Sequence, residues 1–115
     1  MNFGFSVEER NGVRVIRLWG ELDLATADKL TEGLSNLDGS AVLDLSELTF
    51  IDSSGISALV HQYNRRGGLV LIGPRPNVAR VLRIAGLEDW VRRLQPTGIP
   101  DEAPRPVAGK PAVSG

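Results

Sequence analysis

A short polar loop, Asp52-Ser53-Ser54-Gly55, is the segment of this sequence whose residue types could do chemistry. It follows the apolar pair Phe50-Ile51 and precedes a helical pattern, so it should form the N-terminus of a helix. Free backbone N–H groups and the positive end of the helix dipole favour an anion at such a junction. Asp and Ser are also preferred N-cap residues. The loop therefore has two interpretations, an anion-handling site and a structural cap.

The surrounding motifs argue against enzymatic chemistry at this loop. The nucleophile elbow G-x-S-x-G needs a glycine two residues before the serine, but Ile51 precedes Ser53 there and Asp52 precedes Ser54. His61 lies more than two turns along the same predicted helix and cannot easily reach Ser53. Neither G-x-x-x-x-G-K-[ST] nor G-x-G-x-x-G occurs in the sequence. We therefore expect a protein that is not an enzyme.

The composition is that of one soluble globular domain, with 115 residues of which 42% are hydrophobic and 23% charged. With no cysteine and one histidine, disulfides, thiol catalysis and cysteine zinc sites are excluded. Asp23, Asp44 and Asp52 could in principle hold a metal, but scattered carboxylates are usually caps or solvated charges. We expect no metal and no cofactor. No apolar run approaches the roughly 20 residues that span a bilayer, and no signal peptide is evident, so a cytoplasmic location without membrane contact is expected.

Charge is distributed unevenly along the chain. Residues 1–58 carry ten acidic and four basic side chains, a net −6, whereas residues 59–115 carry four acidic and nine basic ones, a net +5. The two parts sum to −1. Dispersed arginines on a nearly neutral protein are a poor footprint for nucleic acid, which we do not expect as a partner. The acidic half could instead meet a basic protein.

The N-terminal part of the chain is predicted to form a β-hairpin and a helix. Apolar residues alternate on both sides of the turn Asn11-Gly12, which is typical of a two-residue hairpin loop. Leu30, Leu34 and Leu37 then recur at helical spacing, which predicts an amphipathic helix over about residues 26–37. The helix should end at Asp38-Gly39.

Two short apolar runs, Ala41–Leu45 and Leu69–Ile72, are typical of strands buried on both faces of a parallel sheet. The apolar stripe of a helix lies between them, so the two strands should be parallel neighbours joined by a crossover. A further helix should begin near Pro76 and end before Gly86. Residues 90–94 fit either an edge strand or a helical turn.

These elements predict an α/β domain over residues 1–95, with a mixed sheet of four or five strands and helices packed against it. Residues 96–115 contain five of the seven prolines and only Ile99, Val107 and Val113 as sizeable apolar residues. We therefore expect a flexible tail rich in Pro, Gly and Ala from residue 96 onward.

Several short motifs occur in the same order as in a known family. They are Gly20-Glu21-Leu22-Asp23, Thr26-Ala27, Leu43-Asp44-Leu45, the stretch from Phe50 to Gly55, then Gly68, Pro76, Val78, Arg80, Leu82 and Gly86-Leu87. Over roughly residues 3–95 the chain thereby resembles the STAS family, in particular the bacterial anti-sigma factor antagonists. Family members usually continue with a further amphipathic helix, where this sequence is proline-rich.

The resemblance implies transcription regulation by partner switching. The unphosphorylated protein would bind an anti-sigma factor that is also a serine kinase, which releases the sigma factor. Phosphorylation of Ser53, with Ser54 as the alternative acceptor, would end the binding, and a phosphatase would restore it. Partner contacts would involve Glu21, Asp23, Asp52, Ser53, Ser54 and Gly55. The alternative is a structural STAS subunit of a lipid-transport or stress-signalling assembly that is not phosphorylated.

Overall fold

The computed structural model describes residues 3–101, which form a five-stranded sheet in the order β1-β2-β3-β4-β5. β1 pairs with β2 in antiparallel fashion, and every other neighbouring pair is parallel. This confirms the predicted mixed α/β architecture. The elements, in chain order, are β1 Phe3–Arg10, β2 Val13–Leu22, α1 Ala27–Gly33, β3 Ala41–Ile51, α2 Ser53–Arg66, β4 Leu69–Ile72, α3 Pro76–Ile84, a 3-10 turn Glu88–Trp90 and β5 Val91–Arg92.

The hairpin and the parallel crossover are where the sequence placed them. Asn11 and Gly12 both have positive φ, 51° and 82°, as a two-residue hairpin turn requires. β3 and β4 pair in parallel from Ala41 with Leu69 onward, and α2 connects them. The region that fitted either a strand or a helical turn contains both, because the 3-10 turn leads directly into β5.

Helix α1 is shorter than predicted, because a distant arginine binds the carbonyls beyond its end. α1 stops at Gly33, whereas the apolar spacing predicted residues 26–37. The guanidinium of Arg66, only 8% exposed, donates to the carbonyl oxygens of Leu34 at 2.7 Å, Leu37 at 2.6 Å and Gly39 at 3.2 Å. These carbonyls gain charged hydrogen bonds in place of helical ones, so the chain turns earlier.

Strand β3 is longer than predicted, since it continues through the polar stretch Ser46–Thr49 to Ile51. Leu48 and Ile51 remain buried while the residues between them are exposed. The pairing of β2 with β3 contains two register irregularities, which interrupt the simple alternation of buried and exposed residues. That interruption hid the second half of the strand from the sequence pattern.

All three helices contribute buried residues to one main core, so they cover the same face of the sheet. Examples are Leu30 of α1, Leu59 of α2 and Leu82 of α3. A smaller cluster of Val15, Val42 and Ile72 lies apart from that core. We call the sheet face that carries this second cluster the helix-free face.

The segment after β5 extends the ordered contacts beyond the domain end predicted at Gln95. Leu94 and Pro100 form an antiparallel bridge, and the backbone N–H of Asp101 donates to the Arg93 carbonyl at 2.8 Å. Arg10 Nη1 donates to the carbonyl oxygen of Gly98 at 2.9 Å. The proline-rich sequence concealed these contacts, since they are made largely by backbone atoms and not by an apolar stripe. The rest of the predicted tail, residues 102–115, lies outside the described residues.

Residues 96–101 should therefore contribute measurably to stability. We expect a chain ending at Gln95 to melt about 4–8 °C below a chain ending at Asp101, since the lost hydrogen bonds and the burial of Pro100 are together worth about 1 kcal/mol. Differential scanning calorimetry of the two chains measures this directly. Equal melting temperatures would contradict a stabilising role for these contacts.

Asp44 is a buried carboxylate held by two donors. Arg10 Nη2 donates to its Oδ2 at 3.1 Å, and the backbone N–H of Ser46 donates to its Oδ1 at 3.0 Å. Burial by itself would raise the pKa of Asp44, but the hydrogen bonds from Ser46 and Arg10 outweigh burial and leave the pKa below its ordinary value. The ionised carboxylate therefore stabilises the folded state.

The pH dependence of this contribution follows from the lowered pKa. Because the folded-state pKa of Asp44 lies below the unfolded one, the stabilisation is complete above about pH 4 and is lost as the pH falls through the folded-state value. We expect Asp44→Asn to reduce the free energy of unfolding by about 1–3 kcal/mol at pH 7 and by clearly less near pH 3. Urea unfolding at both pH values measures the two differences. If Asp44→Asn lowered the free energy of unfolding equally at pH 7 and near pH 3, the carboxylate of Asp44 would not be the source of this pH dependence.

Candidate functional site

The site predicted around Ser53 lies where two neighbouring parallel strands end. Leu22, the last residue of β2, pairs with Ile51, the last residue of β3. The backbone N–H of Asp52 also donates to the Leu22 carbonyl at 3.3 Å. Carboxyl ends of adjacent parallel strands meet at one edge of a sheet, which is where open α/β folds place their sites. The loops that carry Asp23 and Asp52 are therefore side by side.

Asp52 is the N-cap of helix α2. Its Oδ1 accepts from the backbone N–H of Ser54 at 2.9 Å and of Gly55 at 3.1 Å, and its carbonyl oxygen accepts the first helical bond, from Ile56. The capping interpretation of Asp52 is therefore confirmed. The other carboxylate oxygen has no hydrogen-bond partner within residues 3–101, so it stays available at the site.

The two serines of the loop differ in accessibility. Ser53, the first residue of α2, is exposed, whereas Ser54 is half-buried. Neither hydroxyl makes a hydrogen bond to another described residue. The backbone N–H of Ser54 is bonded to Asp52, which fixes the residue at the inner side of the turn. Ser53 is consequently the hydroxyl that an approaching protein meets first.

The Asp23 loop is held by a threonine that the sequence interpretation did not include among the site residues. Thr26 is fully buried, and its hydroxyl donates to the Glu21 carbonyl at 2.7 Å while accepting from the Asp23 N–H at 2.9 Å. Asp23 Oδ1 in turn accepts from the N–H of Ala25 at 3.0 Å. A polar residue three positions after an aspartate and just before a helix is the signal that could have identified Thr26. Its bonds fix the loop beside Asp52.

Gly55 allows α2 to approach the end of β2 closely. A Cβ atom at this position would lie 2.5 Å from the carbonyl oxygen of Leu22 and 2.6 Å from Cγ1 of Ile51. Cβ atoms in proteins do not come so close to other atoms. The Leu22 carbonyl belongs to the backbone, so it cannot move aside as the end of a flexible side chain could. Gly55 is thus needed for the distance between the helix and the strand ends.

Glu21 differs from the two aspartates because its side chain is exposed and makes no bond to a described residue. It lies opposite Phe50 in the pairing of β2 with β3. The three acidic residues predicted for the site are therefore all at this edge. Asp23 and Asp52 serve as turn and cap acceptors, and Glu21 leaves its charge free.

Other chemistries receive no support from the geometry of residues 3–101. No group of three or more His, Asp or Glu in this part of the chain is placed to hold a metal ion, and Asp44 is bonded to Arg10, not gathered with Asp23 and Asp52. His61 is exposed on α2. Among the helices of the described residues, none is long and apolar enough to cross a membrane.

Comparison with known proteins shows which family this chain resembles in sequence and fold. Residues 5–98 match the STAS domain family model. The chain is 34% identical to an anti-sigma F factor antagonist of Paenibacillus polymyxa, over 76% of this chain and 82% of the relative. It is 32% identical to the anti-sigma-F factor antagonist RsfB of Mycobacterium tuberculosis, over 76% and 77% of the two chains.

The fold is shared with solved structures of the anti-sigma factor antagonist SpoIIAA of Bacillus. The unphosphorylated form superposes with a TM-score of 0.68 and 24% identity, over 83% of this chain and 90% of that one. The phosphorylated form superposes with a TM-score of 0.56 and 23% identity, over 83% of this chain and 93% of that one. With the family match spanning both strand ends and the Asp52 cap, this chain belongs to the STAS domain family.

Proposed function

We propose that this protein is an anti-sigma factor antagonist that acts by partner switching. In its unphosphorylated form it binds an anti-sigma factor that is also a serine kinase, and phosphorylation of Ser53 releases it. A phosphatase returns the protein to the binding form. The observation that carries this proposal is the exposed hydroxyl of Ser53 directly after the Asp52 cap, in a chain whose relatives are named anti-sigma F factor antagonists.

The geometry favours Ser53 over Ser54 as the phosphate acceptor. A kinase must bring the γ-phosphate of ATP in line with the attacking hydroxyl, which requires an open approach. Ser53 is exposed, while Ser54 is half-buried and tied to Asp52 through its backbone. The hydroxyl of Ser53 would attack the γ-phosphorus, its proton would be taken up by a base of the kinase, and ADP would leave.

A phosphate on Ser53 would remain a projecting negative charge. The N–H groups of Ser54 and Gly55, which could otherwise hold a phosphate at the start of α2, are already bonded to Asp52. The phosphate adds a charge of about −1.5 to −2 beside this carboxylate. Because the kinase must present nucleotide phosphates opposite Ser53, the new charge would face other anions at the interface. This repulsion supports release of the partner without a change of fold.

The remaining site residues have supporting roles in this proposal. Glu21 and the free oxygens of Asp23 and Asp52 provide acidic contacts to the partner, and Gly55 sets the position of α2. The protein itself acts by binding and supplies no catalytic group.

Mass spectrometry after incubation with ATP and a candidate kinase tests the proposal. A suitable candidate is a histidine-kinase-like ATPase whose gene is found next to the gene of this protein. We expect phosphate on Ser53 in the wild-type chain and in Ser54→Ala, and none in Ser53→Ala. Labelling of Ser53→Ala at full rate would contradict the assignment. Stable binding of the wild-type chain in the presence of ATP without any phosphorylation would instead support the structural STAS subunit of a lipid-transport or stress-signalling assembly.

A further inference from the structure

Two aromatic side chains are exposed on the sheet next to the proposed phosphorylation site. Trp19 is 41% exposed and Phe50 is 44% exposed. Trp19 lies between Leu18 and Gly20 on β2, and Leu18 and Leu22 are fully buried in the main core. Since side chains alternate across a strand, Trp19 and Glu21 point to the opposite, helix-free face.

The strand register gathers the aromatic rings with two carboxylates. Glu47 pairs with Trp19, and Phe50 pairs with Glu21, in the ladder between β2 and β3. Residues paired across neighbouring strands are within contact range of one another and of their diagonal neighbours. We call these four residues the aromatic-acidic patch. It combines large apolar area with two negative charges.

Trp19 is held in a defined orientation within this patch. A Cβ atom on Gly4 of β1 would lie 2.5 Å from the indole ring, so the ring covers the backbone of the neighbouring strand where only glycine leaves room. An aromatic ring that is ordered before binding loses little conformational entropy at an interface. The patch is therefore pre-organised on a rigid sheet.

The two carboxylates of the patch are not neutralised by the rest of the protein. The carboxylate of Glu8, on β1 of the same sheet, pairs with Arg10 and Arg17, but the side-chain carboxylates of Glu21 and Glu47 make no ion pair or hydrogen bond with any other residue in 3–101. Unpaired carboxylates beside exposed aromatic rings complement a surface that presents basic side chains around an apolar pocket.

We propose that the aromatic-acidic patch is the docking surface for the anti-sigma kinase, which would insert Phe50 and Trp19 into an apolar pocket flanked by basic side chains. This inference rests on the proposed function and names the surface that provides its binding energy. Phe50 is two residues before Asp52, so the patch is continuous with the edge that carries Ser53. The patch would hold the partner, and Ser53 would lie opposite the partner's nucleotide.

The docking surface can be tested with the kinase that phosphorylates Ser53. Calorimetric titration measures the affinity of that kinase for three variants of this protein. We expect Phe50→Ala to weaken binding at least tenfold, as for a central aromatic contact. Glu47→Lys should weaken binding several-fold and flatten its dependence on salt. Ile84→Ala is the matched control, because Ile84 is 77% exposed on α3 and outside the patch, and it should bind like wild type.

The outcomes separate this inference from the proposed function. Wild-type affinity in Phe50→Ala and Glu47→Lys, with normal phosphorylation of Ser53, would overturn the docking surface alone. Failure of the wild-type chain and of Ile84→Ala to bind any kinase would overturn the proposed function and this inference with it. Circular dichroism of each variant verifies that the fold is retained.

Trp19 offers a second readout. The chain contains two tryptophans, and Trp90 stacks on Tyr63 at a centroid distance of 4.2 Å, so Trp90→Phe keeps an aromatic ring there and leaves Trp19 as the only tryptophan. Its emission should shift to shorter wavelength when the kinase binds, and no shift would contradict docking at the patch.

Sedimentation equilibrium of the isolated chain tests whether the patch binds a second copy instead. If the wild-type chain were a dimer and Phe50→Ala a monomer, the patch would be a self-association surface, and the proposal would be overturned.

Discussion

Ser53→Asp is expected to weaken binding to the anti-sigma kinase, while Ser53→Ala binds it constitutively and is not phosphorylated. A mismatched charge at an interface costs about 2–5 kcal/mol, which corresponds to roughly 30-fold to several-thousand-fold in affinity. Aspartate carries less charge than phosphate, so its effect should lie at the lower end of this range. Competition binding with the two variants and the wild-type chain measures the ranking.

The stability of both variants provides the control for this experiment. Ser53 is exposed and its hydroxyl makes no bond to a described residue, so neither substitution should change the free energy of unfolding by more than about 0.5 kcal/mol. A negative charge at the first position of α2 is in fact favourable for the helix dipole. A large loss of stability in Ser53→Asp would mean that weakened binding reflects unfolding and not the added charge.

Gly55→Ala should produce the largest loss of stability among conservative substitutions at the site. The added methyl group would overlap the carbonyl oxygen of Leu22, which also accepts the N–H of Asp52, so helix α2 must move away from β2. Overpacking of this kind typically costs about 1–3 kcal/mol, more than the roughly 1 kcal/mol that alanine gains over glycine within a helix. Urea unfolding should therefore show a net destabilisation.

Ser57→Ala is the matched control for this substitution. Ser57 lies two residues further along α2 and is exposed, so its replacement by alanine should change stability by less than about 0.5 kcal/mol. If Gly55→Ala were as stable as wild type, the close approach of α2 to Leu22 would not constrain the site. The displaced helix should also slow phosphorylation of Ser53, because the serine moves relative to the Asp23 loop.

Features that depend on local patterns were predictable from the sequence. The apolar runs at Ala41–Leu45 and Leu69–Ile72, with a helical stripe between them, indicated parallel strands because few other arrangements bury such runs on both faces. The order of Asp52 and Ser53 before that stripe indicated the capped start of α2. The cap is formed by residues close in the chain, and each strand of the parallel pair is marked by an apolar run of its own.

Features that depend on distant partners were not predictable in this way. α1 ends early because Arg66, far along the chain, binds the carbonyls after it. The contacts of residues 96–101 are made largely by backbone atoms, which leave no trace in the apolar pattern. The aromatic-acidic patch depends on irregular pairing between β2 and β3, which places Phe50 opposite Glu21. Register of this kind is set by tertiary packing.

Calorimetric titration of the anti-sigma kinase with unphosphorylated and with Ser53-phosphorylated protein shows whether phosphorylation of Ser53 ends the binding. We expect tight binding of the unphosphorylated chain and affinity at least 30-fold lower for the phosphorylated chain, with both forms melting at similar temperatures. Equal affinities for the two forms would contradict partner switching through Ser53.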